Sequence, residues 1–259
     1  MLRSLLPKSH KLVSFLFLIL FFSGCNIDDS GSDSGYDMAS APPADFELLF
    51  IGNSHSEVNN LPGLVVKLIE TGEKDKSALS FNAPGWKFLD ERVGDGVTQE
   101  SIEARNWTHI ILQAQKYSTS GLYSYPTDAA EMWIRQIKMR GAIPILFPEW
   151  PRKGDTEEGM RIHQLHLSIS ATEPACVAPV GLVWNEVIAR HPDISLHDSD
   201  GNHSNPKGAL LTAYVFYEVI TGKEARNLPD LDGVGASAEE QSIFRNIASE
   251  VIANNPPCP

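Results

Sequence analysis

Basic residues are scarce in this chain. Its 259 residues carry 21 Lys and Arg against 33 Asp and Glu, a formal net charge of -12. Binding to a phosphate backbone requires clustered cations, and none occurs beyond the first eleven residues, so a nucleic-acid partner is excluded. Long hydrophobic runs are lacking too. The one candidate, residues 12–22, is far shorter than the roughly 20 residues a membrane-spanning helix needs. Cysteine is limited to Cys25, Cys176 and Cys258, too few for a disulfide scaffold or a thiolate metal cluster. Two familiar catalytic patterns are also missing. No Gly-x-Ser-x-Gly elbow surrounds a serine, and His163 and His166 stand three apart where a zinc protease helix needs four with an adjoining glutamate. Neither a metal nor a cofactor is expected.

What is present begins with the amino terminus. Lys8, His10 and Lys11 precede the apolar run, and Ser23-Gly24-Cys25 follows it, the layout of an export signal with small residues at the cut. The segment resembles a bacterial lipobox, which implies cleavage before Cys25, acylation of that cysteine and anchoring in a membrane. Asn26 is not the aspartate that marks inner-membrane retention, so the outer membrane is the expected destination. Residues 1–24 are therefore assigned to a signal peptide. Residues 25–45, rich in Asp, Ser, Gly, Ala and Pro, are assigned to a disordered tether. Residues 46–259 are enough for one domain with a single core. In an exported protein Cys176 and Cys258 are free to pair, and a disulfide between them is expected, two buried thiols being the alternative.

Within the domain, short apolar runs at 46–51, 77–82, 107–113, 142–147 and 176–180 read as strands. Amphipathic stretches at 62–72, 126–140, 157–170, 182–190 and 206–221 read as helices, several closed by glycine. Such alternation calls for parallel strands with helical crossovers. The expected fold is a three-layer α/β/α sandwich around a mainly parallel five-stranded sheet, with any ligand bound beyond the carboxyl ends of the strands.

That rule selects the residues to inspect. Gly52-Asn53-Ser54 ends the first strand, where the serine hydroxyl and its backbone N–H can face the same space. Serine needs a base to become a nucleophile. Asp200-Gly201-Asn202-His203, just before the 206–221 helix, offers one: His203 can face Ser54 through one ring nitrogen while Asp200 holds the other. A solvated acidic loop is the competing reading of that segment. Gly85 offers an unshielded N–H to an oxyanion, and Gln115 or Gln113, after the third strand, a side-chain amide. His55, Glu149 and Trp150 are candidate substrate contacts, Trp150 as a wall for a sugar ring.

Taken together these residues resemble the SGNH (GDSL-like) hydrolases, whose sheet is flavodoxin-like, over residues 46–222. Gly52-Asn53-Ser54 corresponds to their first block, Gly85 to the oxyanion glycine of the second, and Asp200 with His203 to the Asp-x-x-His of the fifth. The third block departs: Gln113-Ala114-Gln115-Lys116 stands where the family usually has Gly-x-Asn-Asp. The resemblance implies a serine esterase acting on a small-molecule or carbohydrate ester, with Ser54, His203 and Asp200 catalytic. A ligand-binding lipoprotein on the same fold, or an O-acyltransferase, would use the same crevice.

Overall fold

The computed structural model describes residues 38–259. The segment assigned to a signal peptide, Cys25, and residues 26–37 of the expected tether lie outside the described residues. The remainder of that segment corrects the expectation of disorder up to residue 45. The Arg105 guanidinium donates to the carbonyls of Met38, Ala41 and Pro42 and pairs with Glu47 at 2.8 Å. One planar group with five donors thus gathers several acceptors that the local sequence leaves unpaired.

Five strands form the sheet: β1 (Phe46–Ile51), β2 (Ala78–Asn82), β3 (His109–Leu112), β4 (Ile143–Leu146) and β5 (Cys176–Val177). Their order is β2-β1-β3-β4-β5 and every pairing is parallel. The expected three-layer sandwich is therefore the observed architecture. Because side chains alternate along a strand, β1 sends Leu48 and Phe50 to one layer and Leu49 and Ile51 to the other. Both faces are covered, which is why the parallel strands read as unbroken apolar runs. Helices α1 (Leu61–Gly72), α5 (Val180–Arg190), α6 (Pro206–Thr221) and α7 (Ala238–Asn254) pack with the first set. Helices α2 (Val97–Glu103), α3 (Asp128–Met139) and α4 (Glu158–Thr172) pack with the second.

Helix α6 is buried from Gly208 to Ile220, the mark of a helix enclosed on all sides. Asn205 caps its start by accepting from the N–H groups of Lys207 and Gly208, and Gly222 ends it in a left-handed conformation. Gly208 is required by proximity, since a Cβ there would lie 2.3 Å from the Leu196 carbonyl oxygen. Strand β5 is shorter than the 176–180 run, because α5 already begins at Val180. Its exposed edge is covered by the carboxyl-terminal tail: the Val177 N–H donates to the Pro257 carbonyl at 2.7 Å, and Cys176 is disulfide-bonded to Cys258. An edge strand so covered offers no free ladder to another chain.

Candidate active site

The end of β1 turns into a short 3-10 segment, Ser54–Ser56, capped by the Asn53 side chain, which accepts from the His55 N–H at 3.1 Å. Gly52 serves this turn by its lack of a side chain, not by a special φ. A Cβ there would stand 2.2 Å from Gln113 Oε1, the atom that accepts the Asn53 N–H at 2.7 Å. Ser54 is the first residue of the segment, and its own N–H makes no hydrogen bond among the described residues, as for any orphan donor at a helix start.

Across the sheet end lies the 197–204 hairpin, closed by a bridge between His197 and Ser204 and by the Asp198 N–H on the His203 carbonyl. Gly201 takes φ +70° at its tip, a left-handed conformation that suits glycine. That turn carries Asp200 back under His203. Asp200 Oδ2 lies 2.5 Å from His203 Nδ1, and Oδ1 accepts the N–H groups of Asn202 and His203 at 2.8 and 2.9 Å. These bonds, the imidazole first, hold the Asp200 carboxyl well below the usual carboxylate range. On the other side of the ring, His203 Nε2 is 2.8 Å from Ser54 Oγ. A serine hydroxyl, an imidazole and an ionised carboxylate are thus in hydrogen-bonded series, so proton transfer from Ser54 to His203 needs no rearrangement.

Gly85 stands on the loop after β2 with φ +80°. Its carbonyl and that of Gly52 accept hydrogen bonds from the same nitrogen, Nη2 of Arg92. The β2 loop is thereby tied to the turn that carries Ser54. The Gly85 N–H, like that of Ser54, has no partner among the described residues, so two backbone donors are left for an oxyanion.

The two glutamines do not supply a third. Gln115 donates to the carbonyls of Lys116 and Pro126 at 2.9 and 3.0 Å, bracing the loop that leads to α3. Gln113 donates to Glu149 and accepts from Asn53. Both expectations of a side-chain oxyanion donor are therefore corrected. The reason lies between them, at Ala114, whose φ of +70° breaks the strand alternation and sends the neighbouring side chains to separate tasks.

Trp150 is corrected as well. It is 2% exposed, stacked on Trp184 at 4.8 Å, and donates from Nε1 to the Asn202 carbonyl at 2.8 Å. It supports the hairpin from within the core and offers no sugar-binding wall. His55 and Glu149 do reach the site. His55 Nε2 lies 4.0 Å from Glu149 Oε2, and its ring is 5.0 Å from that of His203.

Ser54, His55, Glu149, Asn202 and His203 share a cleft of about 550 Å³, completed by Phe88, Lys116, Tyr117, Thr119 and Tyr125. Three of its lining residues, Phe88, Tyr117 and Tyr125, are aromatic. Trp86, beside Gly85, is 65% exposed, yet its indole N–H is anchored to Glu57 at 2.8 Å. No local pattern in the sequence marks Arg92, Tyr117 or Phe88 for this neighbourhood, since all three arrive on irregular loops.

No protein-family model matches the sequence, and no curated protein matches it. Solved structures do. A DUF4886 family protein from Bacteroides uniformis superposes with a TM-score of 0.64 at 14% identity, covering 82% of this chain and 95% of its own. A candidate SGNH hydrolase from Slackia heliotrinireducens does so with 0.53 at 19% identity, covering 67% and 97%. At these identities the likeness is one of fold, and it coincides with the sheet order and layers described above: the chain has the fold of the SGNH hydrolases.

Proposed function

We propose that the protein is a serine esterase that cleaves O-acyl esters through an acyl-enzyme on Ser54. The observation that carries this reading is the series Ser54 Oγ, His203 Nε2, His203 Nδ1, Asp200 Oδ2, at 2.8 and 2.5 Å. Ser54 Oγ attacks the ester carbonyl carbon while its proton passes to His203 Nε2. The negative charge gathers on the former carbonyl oxygen, toward the N–H groups of Ser54 and Gly85. His203 then protonates the departing alkoxide, leaving an acyl-serine. Water attacks this, gives its proton to His203, and the acid leaves as Ser54 recovers its hydrogen. Asp200, held ionised, orients the ring and stabilises the imidazolium.

The substrate class we propose is a short-chain, chiefly acetyl, ester of a carbohydrate. Hydroxyl, amide and charged groups of Tyr117, Thr119, Asn202, Lys116 and Glu149 line the cleft and suit sugar hydroxyls. The exposed rings of Phe88 and Tyr125, which line it, suit the apolar face of a pyranose. Export and anchoring through Cys25, rest on the amino-terminal sequence alone, and they accord with a polymeric glycan met outside the cytoplasm.

Acetate release from acetylated xylan, measured beside hydrolysis of p-nitrophenyl acetate, tests the proposal. Turnover of both by the parent protein and of neither by Ser54→Ala is expected. Equal rates for the parent and Ser54→Ala would refute the nucleophile, and turnover of p-nitrophenyl acetate alone would refute the carbohydrate assignment.

A further inference from the structure

We infer that Arg92 is a positioning residue of the oxyanion site: its buried guanidinium locks the Gly52 and Gly85 peptides together and polarises them toward the developing negative charge. The inference rests on the esterase reading and concerns the donors of that same site.

Arg92 is fully buried and forms no ion pair among the described residues. Its hydrogen bonds go to neutral oxygens: Nη2 to the carbonyls of Gly52, at 2.6 Å, and Gly85, and Nη1 to the Pro84 carbonyl at 3.2 Å and Thr98 Oγ1 at 3.0 Å. The two carboxylates whose charge reaches Arg92, Asp95 and Glu57, bond elsewhere: Asp95 to Lys87 at 3.2 Å and to Thr98, Glu57 to the Trp86 indole N–H at 2.8 Å. The Nε atom has no partner. Withdrawing a guanidinium from water without an ion-pair partner is costly, and a neutral side chain could fill the same volume without that cost. The place where the charge sits suggests what it does.

A trans peptide points its C=O and N–H in opposite directions. With the Pro84 and Gly85 carbonyls turned to Arg92, the N–H groups of Gly85 and Trp86 face away from it, and the positive φ of Gly85 lets two successive peptides do this together. The Gly52–Asn53 peptide is held at both ends, its carbonyl by Arg92 and its N–H by Gln113. The next residue is Ser54. A cation on the Pro84 and Gly85 carbonyls strengthens the partial positive charge on the Gly85 and Trp86 N–H groups, while at Ser54 it acts by fixing the preceding turn through the Gly52 carbonyl. It also adds its own field, from a guanidinium that is itself shielded from water. Both effects grow as charge moves onto the substrate oxygen, so they act on the transition state rather than on ester binding.

The test is a kinetic and inhibitor series on p-nitrophenyl acetate with Arg92→Lys, Arg92→Met and Thr98→Val. The active-site concentration is fixed in each by stoichiometric phosphonylation of Ser54. For Arg92→Met we expect kcat per active site to fall about 100-fold with KM within about twofold, as for loss of an oxyanion donor. Arg92→Lys, keeping a charge that reaches fewer carbonyls, should recover part of that loss. The inhibition constant of a boronic acid, which forms a tetrahedral adduct with serine, should rise in step with the fall in kcat/KM. If Arg92→Met does not fold, the isosteric Thr98→Val, which removes one of the two acceptors of Nη1, is expected to lose severalfold in kcat. Unchanged kcat per active site in Arg92→Lys and Thr98→Val, whatever their melting temperatures, would overturn the inference. A parent protein that neither turns over ester nor takes up the phosphonate would instead refute the esterase reading, and this inference with it.

Discussion

On one side of the cleft, Ser54 is held by groups that come from far along the chain. The Asn53 N–H meets a glutamine 60 residues away, and the Gly52 carbonyl an arginine 40 residues away. On the other side, His203 is held chiefly by its neighbours: Asp200, three residues before it, binds both its ring and its N–H, and Gly201 makes the turn between them. The side chains that hold the first side, Gln113 and Arg92, are fully buried. In the second, Asp200 is 47% and His203 28% exposed at the side chain. Ser54 thus sits on a non-local frame and His203 on a hairpin whose tip is closed by its own bonds, to which other segments add Trp150 on the Asn202 carbonyl, the Lys153 N–H on the Gly201 carbonyl and Asn59 on the Ser204 carbonyl. A turn that must present both a hydroxyl and an unpaired N–H cannot satisfy itself by local bonds, and so depends on the rest of the fold. A hairpin tip that only has to aim a ring can.

The largest effect expected from disturbing this arrangement is at Asp200. Asp200→Asn leaves the hairpin its size and part of its hydrogen bonding while removing the charge that fixes the ring tautomer. It should lower kcat by about 10²- to 10⁴-fold with little change in melting temperature, because the carboxylate is exposed at the surface. A large loss of stability with a small loss of kcat would show that the hairpin tip does not only aim the ring.

A smaller effect comes from acid, and it should arise outside both sides of the cleft. Asp200 keeps its charge well below the ordinary carboxylate range. The stabilisation it carries is present above the unfolded-state pKa and is lost only as pH falls through its lower folded value. In the interior, by contrast, burial pushes His109 and His166 down to about 4. They stay neutral in the folded protein while the unfolded chain takes up protons from about pH 6.5. Their contribution is complete above pH 6.5 and is lost as pH falls toward 4, up to about 3 kcal/mol for each. Denaturant melts between pH 7 and 4 should show that loss, and His166→Gln should flatten it. An unchanged slope in the variant would place the acid sensitivity elsewhere.

The same contrast explains what could be read from the amino-acid order. The 46–51 run and the 206–221 helix coincide with β1 and α6, since alternating burial and capping residues are local signals. Ser54, His203 and Asp200 were legible because a strand end and a four-residue hairpin motif announce them. Helix α7 was not assigned, although Ser237 and Glu240 form a capping box at its start, a signal present in the sequence. The glutamines were misplaced because a register argument assumes strand alternation, and Ala114 breaks it with a left-handed φ that alanine rarely adopts. Trp150 was misplaced because a tryptophan after a strand reads alike whether it faces solvent or a second tryptophan. Arg92 had no local mark at all, since its partners are backbone carbonyls, and carbonyls are common to every residue.

The most direct measurement of the central claim is covalent labelling with a fluorophosphonate, followed by intact mass and peptide mapping. The account predicts a single adduct on Ser54, absent in Ser54→Ala and formed at least about 100-fold more slowly in His203→Ala. An adduct on another residue, or labelling of His203→Ala at the parent rate, would contradict it.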